Sequence, residues 1–214
     1  MNNKQSWYSI NAKQTDKFVD VYLYDEVGSY GISAKDFVND IKLLKGKDIY
    51  LHVNCVGGEV FDGMAIYNTL KKYKGKVIAY VEGIAASMGS IIPLAADEII
   101  MSENSLYMIH NAWGGAMGEA SDMRKTAALL DKLSSEIANI YTKKTGLPLS
   151  QIEEMMNEET WFSSEEALEY GFIDKVSDAV MVAAKYDMTK FKNKTQKEIV
   201  NQLNNNQKSK KMTE

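Results

Sequence analysis

Residues 48–81 read DIYLHVNCVGGEVFDGMAIYNTLKKYKGKVIAYV, and the class of the fold follows from them. Asp48 to Val53 is a short apolar run of the strand type, and Gly57-Gly58 marks a tight turn. Phe61 to Tyr73 then places Met64, Ile66, Tyr67 and Leu70 as core contacts of a helix, and Lys76 to Val81 returns to strand. Strand, helix and strand in units of this length predict parallel β-α-β crossovers rather than a sandwich, so the expected class is α/β.

Working toward the N-terminus, Phe18 to Tyr24 alternates apolar and polar residues as a strand, and Gly28 to Gly31 punctuates it as a loop. Ser33 with Asp36 three positions on forms a capping box. Phe37, Val38, Ile41 and Leu44 share one helical face, and Gly46 supplies a left-handed stop. Toward the C-terminus, Ala86 to Ala96 reads as a buried helix, Glu98 to Met101 and Leu106 to Ile109 as short strands, and Gly114-Gly115 with Gly118 as a glycine-rich loop. A long helix opens near Ser121 and carries Met123, Ala127, Leu130, Leu133, Ile137 and Ile140 at three-and-four spacing. It closes on Lys143, Lys144 and Gly146 before Pro148. Ser150 with Glu153 and Ser163 with Glu166 are expected to cap two more short helices.

The 214 residues, 45% of them hydrophobic, suffice for one sizeable core. A net charge of −4 leaves no basic footprint for nucleic acid. Cys55 is the single cysteine and there are two histidines, which excludes an internal disulfide and makes a Cys/His zinc cage implausible. Met1 to Asn11 lacks the apolar core of a signal peptide, so a cytoplasmic setting is expected. Val77 to Ala96 has the length of a membrane span. Glu82, Gly83, Ser87, Gly89, Ser90 and Pro93 interrupt it, however, and it reads better as a buried strand feeding a buried helix. From about Lys185 lysine, asparagine and glutamine dominate. The expected organisation is an N-terminal segment (1–17), one folded domain (18–184) and a polar, basic, mobile tail (185–214), with no internal repeat.

Three places could carry chemistry. Ser87 lies among small residues in Gly83-Ile-Ala-Ala-Ser-Met-Gly89, beyond a parallel strand, where α/β folds gather their ligand sites. The same small residues also suit close helix packing, and Ala85 breaks the Gly-x-Ser-x-Gly pattern of the hydrolase nucleophile elbow. A serine needs a base. His52 lies within a strand and reads as a sheet-face residue, whereas His110 ends a strand beside a glycine-rich loop and is the better base, against an equal claim for a structural role. Val56-Gly57-Gly58 before a helix could present backbone N–H donors to an oxyanion, or could simply turn the chain. Cys55 reads as a small buried hydrophobe without a local base.

Four segments in order make the pattern specific: Asp48 to Gly58, Gly83 to Gly89, Met108-Ile-His110, and Thr160-Trp-Phe-Ser-Ser-Glu-Glu-Ala-Leu-Glu-Tyr-Gly-Phe-Ile-Asp174. Together they resemble the ClpP peptidase family over roughly residues 18 to 180. The resemblance implies a ClpP/crotonase-like β-α spiral with a protruding handle helix, a Ser-His-acid triad and stacked, heptamer-like rings forming a tetradecamer. It assigns Ser87 as nucleophile, His110 as base, the N–H groups of Gly58 and Met88 as oxyanion donors, and Gly57, Gly114 and Gly115 as substrate-binding positions. The acid falls on Glu159, where the family usually has Asp. The longer side chain requires its loop to withdraw by about one methylene to keep a hydrogen bond of roughly 2.7–2.9 Å. Without the resemblance Glu159 reads as a solvated acid, with Glu158 its rival. No metal or organic cofactor is implied, and the expected partners are copies of the chain and a protein or peptide substrate, not nucleic acid or membrane.

The sequence also departs from the family. Positions matching the pocket that docks a Clp ATPase keep Tyr50 and Tyr80 but read His52, Lys72, Glu82 and Ser102 elsewhere, and the axial-loop sequence is not recognisable in Met1 to Asp16. Desolvated charges in such a pocket disfavour a hydrophobic anchor. With Asn-Cys-Val-Gly-Gly58 in place of Ser-Pro-Gly-Gly, the sequence looks most like the ClpP-related proteases of phages and prophages, associated with capsid maturation. The alternatives are a housekeeping Clp proteolytic subunit, a non-catalytic scaffolding ring and a crotonase-like acyl-CoA enzyme.

Overall fold

A computed structural model describes residues 8–11 and 17–179; the expected tail (185–214) lies outside the described residues. The elements run β1 Tyr8–Asn11, β2 Phe18–Leu23, α1 Ala34–Leu43, β3 Asp48–Cys55, α2 Val60–Lys71, β4 Val77–Ala86, α3 Met88–Ile91, a 3-10 turn Ile92–Ala95 and β5 Glu98–Ser102. They continue with β6 Leu106–Ile109, α4 Ala120–Thr145, α5 Leu149–Asn157, β7 Thr160–Phe162, α6 Ser164–Glu169 and β8 Lys175–Ser177. The sheet order is β1-β2-β3-β4-β5-β8, with β6 added to β4 and β7 to β6. All pairs are parallel except β1 on β2 and β7 on β6, so the α/β crossover reading stands.

Strand alternation builds the core. Val19, Val21 and Leu23 on β2, Ile49, Leu51 and Val53 on β3, and Val77, Ala79 and Val81 on β4 are buried, and Phe37, Ile41, Ile66 and Leu70 from α1 and α2 join the same cluster. Each fully buried Ile, Leu or Phe contributes about 1.5–3 kcal/mol. The opposite sheet face is half-buried and carries a ladder of rings: Phe18 stacks on Tyr50 at 4.5 Å, Tyr80 follows, and His52 lies between Tyr80 and Tyr22.

β4 is longer than its sequence suggests, and this carries the chain into the site. Its first half pairs with β5 through Ile78–Val81 and its second with β6 through Ile84–Ala86. The β3–β4 register shifts between Val53 and Cys55, and the buried Asn54 fills the irregularity, its Oδ1 accepting from Ile84 N at 3.1 Å. The expected helix from Ala86 is therefore a correction. Ala86 closes the strand, α3 is a single turn, and Pro93, which cannot donate to a continuing α-helical ladder, falls in the 3-10 turn.

Other local readings divide in the same way. Ser33 caps α1 by accepting from Asp36 N, but Asp36 answers on the Ser33 hydroxyl rather than its N–H, so half of the expected box forms. Ser163 and Glu166 make the full box of α6. Ser150 is not a cap: α5 begins after Pro148 and has no side-chain cap. The apolar stripe of α4 is only partly core. On the stripe Ile137 is buried and Leu130, Leu133 and Ile140 are half-buried, whereas Ala127 is exposed and Met123 is 51% exposed, as is Leu129 beside the stripe at 47%, so the N-terminal half projects as a handle. Among the described residues, no helix is long and apolar enough to cross a membrane.

Candidate active site

Ser87 sits where β4 ends and α3 begins, with φ 55° and ψ −126°. A non-glycine residue there costs of order 1–3 kcal/mol and persists only where its surroundings over-determine it. They do: Ser87 N donates to Met108 O of β6 at 3.1 Å, and Ser87 O accepts from Ser90 N at 2.9 Å and Ser90 Oγ at 2.6 Å. The sharp strand-to-helix turn presents Oγ as a nucleophile elbow does, although the sequence lacks that motif's glycine at position 85.

His110 follows β6, the strand that pairs with the end of β4, so the imidazole arrives beside the serine. Its Nε2 lies 2.8 Å from Ser87 Oγ. On the other side of the ring, Nδ1 lies 3.7 Å from Glu159 Oε2. That separation is within ion-pair reach and longer than the hydrogen bond expected from the sequence. Glu159 is 3% exposed, not the solvated acid that its Asn157-Glu158-Glu159 context suggests. It follows the C-cap of α5 with φ 54°, the left-handed position that usually belongs to glycine, and Glu159 N donates to Met156 O at 3.3 Å. Glu158 is exposed at the helix cap.

The turn at Gly57-Gly58 closes against this elbow. A Cβ on Gly57 would meet Ser87 Cβ at 2.6 Å and Met88 N at 2.9 Å; one on Gly58 would meet Val27 O at 2.0 Å. Only glycine permits both approaches. Val27 clamps the turn, its N donating to Gly57 O at 2.7 Å and its O accepting from Glu59 N at 2.9 Å. Cys55 lies beneath, and its sulfur accepts from Gly57 N at 3.4 Å. Burial pushes the Cys55 thiol up to about 12, with the Asp25 and Glu26 charges adding to the rise against the Gly57 hydrogen bond. It is a packed thiol, as its sequence context implies.

Ser87, Met88, His110 and Gly58 line one cleft of about 300 Å³, with Ile91, Ile137 and Tyr141 on an apolar wall and Glu26 and Glu59 also on its lining. Gly57 lies buried behind it. Gly114 and Gly115 are exposed on the loop beyond Trp113 and are not part of this lining. Sequence reasoning missed Val27, Asn54, Ser90 and Tyr141. Of these, Tyr141 had a visible signal, four residues beyond Ile137 on the stripe of α4.

The arrangement can carry out acyl transfer: a hydroxyl on an imidazole, a carboxylate behind the ring and glycine-turn amides nearby. Comparison with known proteins agrees. The family model described as Clp protease matches residues 2–180. The ATP-dependent Clp protease proteolytic subunit 1 of Leifsonia xyli is 33% identical over 140 residues, covering 64% of this chain and 71% of that protein. The corresponding subunit of Deinococcus radiodurans is 38% identical over 134 residues, covering 62% and 66%. Subunit 1 of Synechococcus sp. is 40% identical over 144 residues, covering 64% and 71%. A family match over most of the chain, on a parallel-rich α/β sheet that brings a serine and a histidine together, places this protein in the Clp protease family of serine-type peptidases.

Proposed function

We propose that the chain is an endopeptidase that hydrolyses peptide bonds in unfolded or loosely structured protein, using Ser87, His110 and Glu159. The observation that carries this reading is the 2.8 Å approach of His110 Nε2 to Ser87 Oγ within an open cleft. Ser87 Oγ attacks the carbonyl carbon as His110 takes its proton. The C–N bond then breaks as the imidazolium returns that proton to the leaving amine, and water repeats the sequence on the acyl-serine. The Gly58 and Met88 amides receive the oxyanion, and the buried Glu159 favours the cationic ring. A serine-directed fluorophosphonate is expected to label the protein and to fail on Ser87→Ala; a labelled variant would remove Ser87 from this role.

The working form is a homo-oligomer of stacked rings, and the finer reading is processing of a viral scaffold or capsid segment without an unfoldase. Its support is the sheet face, where His52 is held by Glu82 at 2.9 Å and Asp20 at 3.2 Å, a poor seat for an apolar anchor. The relatives' names, ATP-dependent proteolytic subunits, favour the rival of a subunit served by an ATPase. Hydrolysis of unfolded casein by the purified particle separates these. ATP-independent turnover supports processing, while a requirement for ATP and a cognate unfoldase overturns it. Absence of any Ser87-dependent hydrolysis would favour a scaffolding ring, and coenzyme A binding would favour an acyl-CoA enzyme.

A further inference from the structure

Beneath the nucleophile lies a buried hydroxyl chain that the proposed chemistry does not use. Ser90 Oγ donates to Ser87 O at 2.6 Å and lies 2.7 Å from Tyr141 Oη. A serine hydroxyl has one proton, and here it goes to Ser87 O, so Tyr141 is the donor to Ser90. Tyr107 Oη donates to the backbone O of Ser90. Ser90 is 0% exposed and Tyr141 1%, and burial pushes the Tyr141 phenol pKa up, keeping it a protonated donor.

Ser87 C=O and Met88 N–H belong to one planar trans peptide and point in opposite directions. Anchoring the carbonyl in the interior therefore aims the amide the other way. Met88 lines the cleft, and its nitrogen lies against the Gly57 turn. We infer that Tyr141 is a positioning residue for the oxyanion site: acting through Ser90, it fixes the Ser87–Met88 peptide so that the Met88 N–H faces the reacting carbonyl. Donation from Tyr141 also polarises the Ser90 hydroxyl, and donation to the Ser87 carbonyl strengthens the same peptide's N–H as a donor. The hydrogen bond spans from α4 to the catalytic turn, tying the core half of the handle to the nucleophile. This inference rests on the serine-peptidase reading.

Tyr141→Phe keeps the ring and removes only the donor. Because outright loss of an oxyanion donor costs about 10²–10³-fold in kcat, a misaimed one is expected to cost roughly tenfold, with KM nearly unchanged. Affinity for a peptide boronate, whose tetrahedral adduct occupies the same site, is expected to fall by the same factor. Ser90→Ala is expected to lose at least as much, and the double variant no more than Ser90→Ala alone, since the tyrosine acts through the serine. Unchanged kcat in either single variant, a loss confined to KM, or losses that multiply in the double variant would overturn the inference. Ser87→Ala measured in parallel keeps the two ideas apart: full hydrolysis by that variant would remove the serine reading itself.

Discussion

Three described non-glycine residues have positive φ, and two of them, Ser87 and Glu159, meet on opposite sides of His110. Strain of that kind is tolerated where the surroundings hold it, and here hydrogen bonds to Met108, Ser90 and Met156 do so. Glu159→Gln is expected to lower kcat by about 10⁴-fold, as amidation of the carboxylate behind a catalytic imidazole does elsewhere, and Glu158→Ala to leave it unchanged. Hydrolysis of a fluorogenic peptide checks both. Gly57→Ala drives a methyl into Ser87 Cβ and Met88 N at a φ of 96°, so near-complete loss of fluorophosphonate labelling is expected. At this scale the sequence was half legible. Ser87 and His110 stand at strand ends among small or glycine-rich neighbours, which leaves packing and catalysis both open until the four ordered segments are set side by side. Glu159 does not: nothing in Asn157-Glu158-Glu159 says which acid turns inward, because that depends on a left-handed backbone where glycine would be expected.

Among the elements, the half-buried face of β2, β3 and β4 has its own electrostatics. Burial pulls the His52 pKa down, but the hydrogen bond and charge of Glu82, then those of Asp20, outweigh it and leave the pKa raised. For Glu82, burial raises the pKa, and the hydrogen bonds from His52 and Tyr24 more than reverse this. A raised histidine stabilises fully below its unfolded value, near 6.5, and loses that contribution as pH rises through the folded value. Glu82 has the opposite sign, contributing above its unfolded value and losing it in acid. The wild type is therefore expected to lose its advantage in melting temperature over His52→Gln as pH rises above about 6.5. A difference that stays constant across that range would remove His52 as its source. Elements with local signals were legible: Ser33 at the start of α1, Ser163 and Glu166 at α6, Gly146 closing α4. β1, β7 and β8 were not: all are at most four residues long, and β7 and β8 are defined by partners distant in the chain. The far end of β4 was misread because Gly-Ile-Ala-Ala suits a helix as well as a strand, and only the pairing with β6 decides.

For the molecule as a whole, α4 divides its labour. Its C-terminal half is core, so Ile137→Ala is expected to cost about 2–5 kcal/mol in chemical denaturation. Met123 and Leu129 on the outer half are exposed, and on the proposed stacked-ring assembly replacing both by Ala is expected to shift unfolding little while lowering particle mass in light scattering. Unaltered mass would mean the handle does not join rings. The site is also spread along the chain: the serine follows β4, the imidazole follows β6, and the carboxylate waits until after α5. On the proposed chemistry, a ribosome releases the nucleophile well before its acid partner. A nascent chain therefore emerges inert, and it acquires the power to cut only after the last third of the described fold has docked onto the first two.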